Sequence, residues 1–424
     1  MINFILFGSF FFLLLLNVPI AASLGLSSVF AMLYGGTKFT VIPTNLYNGM
    51  AKFLLLAIPF FVISGNVMAE AGISRRLIDF IDDCVGHQKG GIAIVCVIVA
   101  MFFGAISGSG PATVAALGII LIPAMVNSGG FSAPFASALM AAASSIAIVI
   151  PPSIAFVVYA SITGVGVGDM FMAGIIPGIM MGLALIVVVL VEVRRKNIQA
   201  SRERSTWGHR GKTFLSALWG FLVPVIILGG IYGGIFTPTE AAAVAVVYGL
   251  IIGVFVYKTV KLKDLKQILI DSASTTATIM FITACASLFA YVLTRARLDV
   301  AISNGLINLT NGSTFVFFII VNILLLIAGC FLDSTSALYI FTPLFVPVAQ
   351  ALGVDMIHLG VVMIVNLAIG LFTPPVGVNL YVACGVANVD LKKISRAVVP
   401  LLIASLVVLL IITYIPGIST IFTR

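Results

Sequence analysis

Twice in this chain a long apolar segment is cut by tandem prolines, at Pro151-Pro152 and at Pro374-Pro375. Proline has no amide donor and its ring clashes with the preceding turn, so a helix cannot run through either pair. Each pair follows two apolar runs that flank a short polar stretch. In the first copy the stretch is Phe103 to Thr113 (FGAISGSGPAT), between apolar arms at Gly91–Phe102 and Val114–Met125. In the second it is Asp333-Ser334-Thr335-Ser336, between Thr314–Leu332 and Ala337–Leu352. The match extends to Gly104 and Gly329, Pro123 and Pro347, Tyr159 and Tyr381, and Asp169 and Asp390, at an offset between 221 and 225 residues. A repeated unit of hairpin and broken helix is the pattern of transporter inverted repeats.

The arms of the first hairpin are about 12–16 residues, short of the ~20 a spanning helix needs. Polar turns at His87–Gly90 and Asn127–Gly130 flank them. The segment therefore reads as re-entrant: it enters the membrane, breaks at depth and returns to the same side. Non-helical backbone at that depth is tolerated only where protein buries it or where it lines a watery cavity. A Ser/Gly/Thr tip there reads as an ion or substrate site. One kinked helix with a Gly-Ser packing notch is the alternative.

With 61% hydrophobic and 8% charged residues and a mean hydropathy of +1.24, the chain is an all-α polytopic membrane protein rather than a soluble one. The net charge of +8 sits in short loops between apolar runs, so it reports topology and not nucleic-acid binding. Five scattered cysteines imply buried thiols without a disulfide framework. His87, His209 and His358 have no metal-site spacing, so no transition metal is expected. Gly166-Val167-Gly168-Asp169 fits the G-x-G-D of intramembrane aspartyl proteases. Its required Tyr-Asp partner is missing and Asp169 falls in a loop. Ser107-Gly108 has no mid-span histidine to activate it. The chain therefore reads as no enzyme. A channel is the closer rival, but paired half-helices favour alternating access.

In order, the chain gives a span from Phe4 to Leu33, bent or divided at Pro19, then a polar stretch and a span at Phe53–Ala69. An amphipathic arm follows at Ile73–Val85, then the first hairpin and its broken helix. Spans at Met170–Val191, Phe214–Ile235 and Ala241–Tyr257 come next, the last two joined by a capping box at Thr237-Pro238-Thr239-Glu240. A second arm is expected at Lys261–Asp271, a span at Thr275–Leu293, then the second copy and a final span at Val398–Ile415. Placing the basic loop Arg194–Lys212 in the cytoplasm puts 17 of the 22 lysines and arginines on that side, as the positive-inside rule requires. Lys38, Lys52, Arg295, Arg297 and Arg424 are the exceptions. Hairpin 1 then opens inward and hairpin 2 outward, with the N-terminus cytoplasmic and the C-terminus outside.

A broken helix exposes orphan carbonyls on one half, which suit a cation, and orphan amides on the other, which suit an anion. Two tips facing two breaks make two pseudosymmetric cation sites with substrate between them. Ser107, Ser109 and Ser145 are the candidates for the first, and Asp333, Thr335 and Thr373 for the second. Asp333 is the one acid inside a long apolar run, and a cap on Ser336 is its alternative role. Hydroxyls and carbonyls favour Na⁺ over H⁺, because they do not titrate. An anionic substrate needs donors: the tip amides, Ser107, Thr113, Ser334 and Asn379, with Arg295 or Arg297 as further candidates.

Gly104–Thr113 (GAISGSGPAT), Ile150–Ser153 (IPPS), Thr237–Ala242 (TPTEAA) and Phe372–Gly377 (FTPPVG) resemble, in order and over nearly the whole chain, the large membrane subunit of TRAP (tripartite ATP-independent periplasmic) transporters. The resemblance is strongest to the sialic acid branch, with C4-dicarboxylate carriers next. It implies an elevator in the bacterial inner membrane, driven by Na⁺. It implies two partners as well, a small four-helix membrane subunit and a periplasmic binding protein that delivers a carboxylate. On this reading residues 1–70 are scaffold, 71–90 an arm, 91–169 the first transport core, and 170–260 scaffold with the basic loop 194–212. Residues 261–274 are then a second arm, 275–312 a span and loop, 313–390 the second transport core, and 391–424 a final arm and span. A stand-alone divalent-anion:Na⁺ symporter shares this architecture and is the alternative.

Overall fold

The computed structural model describes residues 1–200 and 202–423, and all regular structure among them is helical. Arg424, one of the charge exceptions, lies outside them. Among the described residues seven helices are long and apolar enough to cross a membrane, or eight counting one bent pair.

The chain opens on α1 (Ile2–Leu15) and α2 (Ile20–Tyr34). The division expected at Pro19 is present, but the two halves fold back on one another rather than continuing one path. They are antiparallel, with the Tyr34 hydroxyl 3.4 Å from the Met1 sulfur. Asn17 turns the chain at φ +64°, and Pro19 caps α2 from outside the helix, so neither residue continues α1. Met1 and Gly35 therefore lie at one end.

After α3 (Val41–Met50), α4 (Ala57–Glu70) leads into the arm α5 (Ile73–Val85). Its Ile73, Leu77, Ile78 and Ile81 are buried, in the helical spacing expected. Hairpin 1 is α6 (Gly91–Ser107) and α7 (Gly110–Asn127), reversed at Gly108, whose φ of +61° suits a residue without a Cβ. Its arms are 17 and 18 residues, longer than the apolar runs suggest, because the small polar tip residues extend both helices. Its outer ends still meet: a Cβ at Gly129 would lie 2.5 Å from the Ile92 side chain. The broken helix follows as α8 (Ala133–Ser145) and α9 (Ile154–Thr163), then α10 (Val167–Arg195). Asp169 is in the first turn of α10, not in a loop. α10 packs on α20 and on the hairpin and broken-helix elements α6, α9 and α17.

The pair α11 (Trp207–Tyr232) and α12 (Pro238–Ile251) turns through the expected capping box, with Thr237 N donating to Glu240 Oε2 at 2.8 Å. The second arm is not at 261–274. One continuous helix, α13 (Leu262–Arg295), runs through it. Its polar first turns carry no helix breaker, so nothing separates them from the apolar run. The counterpart of α5 is instead α14 (Leu298–Thr310), of the same 13-residue length, in the segment taken for a loop.

Hairpin 2 is α15 (Thr314–Phe331) and α16 (Ser334–Ala351), and the second broken helix is α17 (Met356–Gly370) and α18 (Val378–Ala387). Then come α19 (Leu391–Ala397) and α20 (Val399–Tyr414), with a 50° bend between them, and one last helical turn at Gly417–Thr420. Left-handed residues recur in register between the copies: Gly72 and Arg297, Gly90 and Gly312, Gly130 and Gly353, Gly164 and Asn388. The copies interlock crosswise, with α7 of the first hairpin on α18 and α16 of the second on α9. Tyr159, fully buried, donates from α9 to Met356 O at 2.7 Å.

Candidate functional site

In each copy the hairpin's first arm meets the break where no side chain intervenes. A Cβ added at Gly104 would lie 2.7 Å from Ala147 Cα, and one at Gly370 would lie 2.5 Å from Gly329 Cα. Only small residues allow that approach of backbone to backbone. Past the first break, Gly108 lies against Pro152 O and Ile154 N. Past the second, Gly377 N donates to Cys330 O at 3.0 Å. At the first break Pro152 has no amide to give, and Ile148 O accepts the Ser153 hydroxyl at 2.7 Å instead. At the second, Thr373 N and Asn379 N donate to Gly370 O and Leu371 O at 3.0 and 2.9 Å.

At junction 1, Ser107 and Ser145 are buried and Ser109 is half-buried. Ser145 Oγ donates to Ala142 O at 2.7 Å. Thr113 Oγ1 donates to Ser109 O at 2.8 Å and lies 2.8 Å from Ser107 Oγ. At junction 2, Asp333 is the N-cap of α16, accepting from Ser336 N at 3.1 Å and from the Ser336 hydroxyl. The capping role weighed for it is therefore present. Thr335 is buried in the first turn of the same helix. Thr373, across the break, donates to Ile369 O at 2.7 Å. The hydroxyls of Thr113, Ser145 and Thr373 spend their protons on nearby carbonyls and keep their lone pairs. Such a set can accept a cation and has little to offer an anion.

The expected anion donors are correspondingly spent. Thr113 gives its proton to Ser109 O, which leaves Ser107 to donate to Thr113. Asn379 is fully buried, and its amide donates to Ala141 O at 3.0 Å. It braces the second broken helix against the first and fills the space beside Gly110. Of the four, only the half-buried Ser334 makes no side-chain hydrogen bond among the described residues. Arg295 donates to the Tyr291 hydroxyl at 3.1 Å on the exposed end of α13, away from both junctions. Among the described residues no three His, Cys, Asp or Glu side chains converge, so a bound cation would rest on hydroxyls, carbonyls and Asp333.

Sequence reasoning missed Gly65 and Gly370. Gly65 lets α4 rest against the first tip, where a Cβ would be 3.2 Å from Ser107 Cα. A lone glycine in an apolar helix gives no sign of which neighbour it admits.

The sequence pattern described as "Tripartite ATP-independent periplasmic transporter, DctM component" matches residues 7–418. The chain is 45% identical, over 94% of its length and 92% of the other, to the C4-dicarboxylate TRAP transporter large permease protein DctM of Pseudomonas aeruginosa. It is 41% identical to the isethionate TRAP transporter permease protein DctMQ of Oleidesulfovibrio alaskensis, matching 99% of itself and 66% of that longer chain. Its fold resembles the YdaH transporter of Alcanivorax borkumensis, with a TM-score of 0.65 at 16% identity over 89% of this chain and 88% of that one. The chain belongs to the DctM component family of tripartite ATP-independent periplasmic transporters, and its role is membrane transport.

Proposed function

We propose that this chain is the large membrane subunit of a Na⁺-coupled importer of a small carboxylate, working as an elevator in the bacterial inner membrane. The observation that carries the proposal is the doubled junction of tip and break, rich in acceptors and poor in donors. Two cation sites, at Ser107–Ser109–Ser145 and at Asp333–Thr335–Thr373, supply the charge that makes an anion welcome between them. A small four-helix subunit and a periplasmic binding protein complete the system. The substrates in the relatives' names, a C4-dicarboxylate and isethionate, support a small anion. They favour a C4-dicarboxylate over the sialic acid of the branch resemblance. The basic loop points inward, which puts the C-terminus outside. The α1–α2 reversal carries the N-terminus to the same side.

The test is uptake into proteoliposomes containing this chain and its small subunit, under an inward Na⁺ gradient, with and without the binding protein. Labelled succinate and N-acetylneuraminate are compared. Uptake of succinate that needs both Na⁺ and binding protein is the expected result. Uptake of N-acetylneuraminate alone restores the sialic acid assignment. Uptake without binding protein favours a stand-alone symporter, and uptake driven equally by a proton gradient without Na⁺ refutes the coupling.

A further inference from the structure

We propose that Asp83 is the fixed anchor of the strap that carries hairpin 1, and that transport movement begins immediately after it, in the Gly86–Gly91 turn. The inference rests on the elevator reading. Asp83 is in the last turn of α5 and its side chain is 1% exposed. A buried carboxylate is costly unless paired and hydrogen-bonded on both oxygens, and here both are. Oδ1 accepts from Arg202 Nη2 at 2.9 Å and from Ser205 Oγ at 2.7 Å. Oδ2 accepts from Thr213 Oγ1 at 2.9 Å and faces His209 Nε2 at 3.3 Å. All four partners belong to the basic loop or the start of α11. Arg202 also binds Asp82, so one guanidinium holds the two carboxylates together.

Along the rest of α5 the contact with α11 is apolar. Phe80 packs tilted against Phe214 and edge-on to Phe221, at 5.4 and 5.6 Å between ring centroids. Gly220 leaves room for Ile73, which a Cβ there would meet at 2.6 Å. After the anchor the chain gains partners in the first hairpin's own unit. A Cβ at Gly90 would run into the Val193 side chain of α10 and meet the Phe131 ring at 3.4 Å, and α6 packs on α8 and α10 as well as on α5, with Phe102 edge-on to Phe221 of α11 at 4.9 Å between centroids. Gly90 takes φ +71°, a conformation open to glycine, so the turn is able to change direction. The anchor is one-sided. At the matching place in α14 stands Asn308, exposed.

The test uses a cysteine-free version of the chain carrying Phe80→Cys and Phe214→Cys, treated with a short bifunctional thiol reagent. A static strap tolerates the bridge, so uptake should be unchanged. Asp83→Asn should lower the maximal uptake rate severalfold and leave the half-saturation for Na⁺ and substrate unchanged, and the bridge should restore the rate. Loss of uptake on bridging the parent overturns the anchor. So does an Asp83→Asn variant with the full rate, or one the bridge fails to rescue. If Asp83→Asn does not fold, Thr213→Val removes one bond and must show the same pattern in milder form. The bridging rate itself should be slower in Asp83→Asn than in the parent. That reading needs no transport, so a parent without Na⁺-driven uptake counts against the proposed function alone.

Discussion

Replacing Gly370 with alanine tests the junction most directly. The new Cβ would lie 2.5, 2.6 and 2.8 Å from the Cα, C and O of Gly329. All three are backbone atoms, so no side chain can swing aside. Carbon contacts settle near 3.5–4.0 Å, so α15 and α17 must part by about 1 Å. Overpacking of this kind costs about 1–3 kcal/mol. If the closed, ion-bound junction bears that strain, the half-saturation for Na⁺ should rise about 5- to 150-fold. Gly385→Ala is the control, since a Cβ there meets nothing within 4 Å. Its coupling should be unchanged. Na⁺-dependent uptake reads the coupling, and size-exclusion behaviour in detergent shows that each variant has folded. A folded Gly370→Ala protein with the parent's Na⁺ half-saturation would refute the argument that the cation sits where hairpin 2 closes on the break.

Asp333→Asn keeps an N-cap acceptor but removes the charge. A rise of about tenfold or more in Na⁺ half-saturation with little loss of stability is expected for a ligand, because hydrogen bonds and contacts to charge are worth about 1.5–3 kcal/mol; an unchanged value leaves only the cap. Lys52, whose pKa burial lowers, donates to Ser161 O near the C-terminal end of α9 at 2.7 Å. Lys52→Met removes a helix-end cation worth about 0.3–1 kcal/mol, so spin-label distances between α3 and α9 should show a population shift of no more than about fivefold. At Asp83, burial pushes the pKa up, but the bonds from Ser205 and Thr213 and the charges of His209 and Arg202 outweigh it and hold the carboxyl below its usual range. A depressed pKa stabilises the folded state above the ordinary carboxylate range, and that contribution is lost as pH falls through the folded value. The stability gap between parent and Asp83→Asn should therefore be full at neutral pH and close in acid, as thermal unfolding across pH would show.

Periodicity and helix breakers are local, and they carried much of the fold into the sequence. Tandem prolines stop a helix whatever surrounds them, so the two breaks were legible at Pro151-Pro152 and Pro374-Pro375. The repeat made the hairpins legible too, and the amphipathic spacing of Ile73, Leu77, Ile78 and Ile81 located the first arm. The Thr237–Glu240 capping box was written in four residues. Direction and partnership are not local. Nothing in Leu13–Ile20 says whether α2 continues α1 or folds back on it; packing against α13 decides. The polar first turns of α13 resemble an arm until the helix is seen to run on, while α14, too short and mixed to stand out, takes the arm's place. Asn379 and Thr113 have the chemistry of substrate donors, yet burial against the other copy and the hairpin's own hydroxyl chain commit their protons elsewhere. Asp83 reads as one more acid on a charged face, and only the return of a loop more than a hundred residues later turns it into a buried, fully paired group. Sequence alone determined where the chain must break and which stretches are apolar. The tertiary structure decided which breaks meet, because contact free energy depends on neighbours that the local pattern does not name.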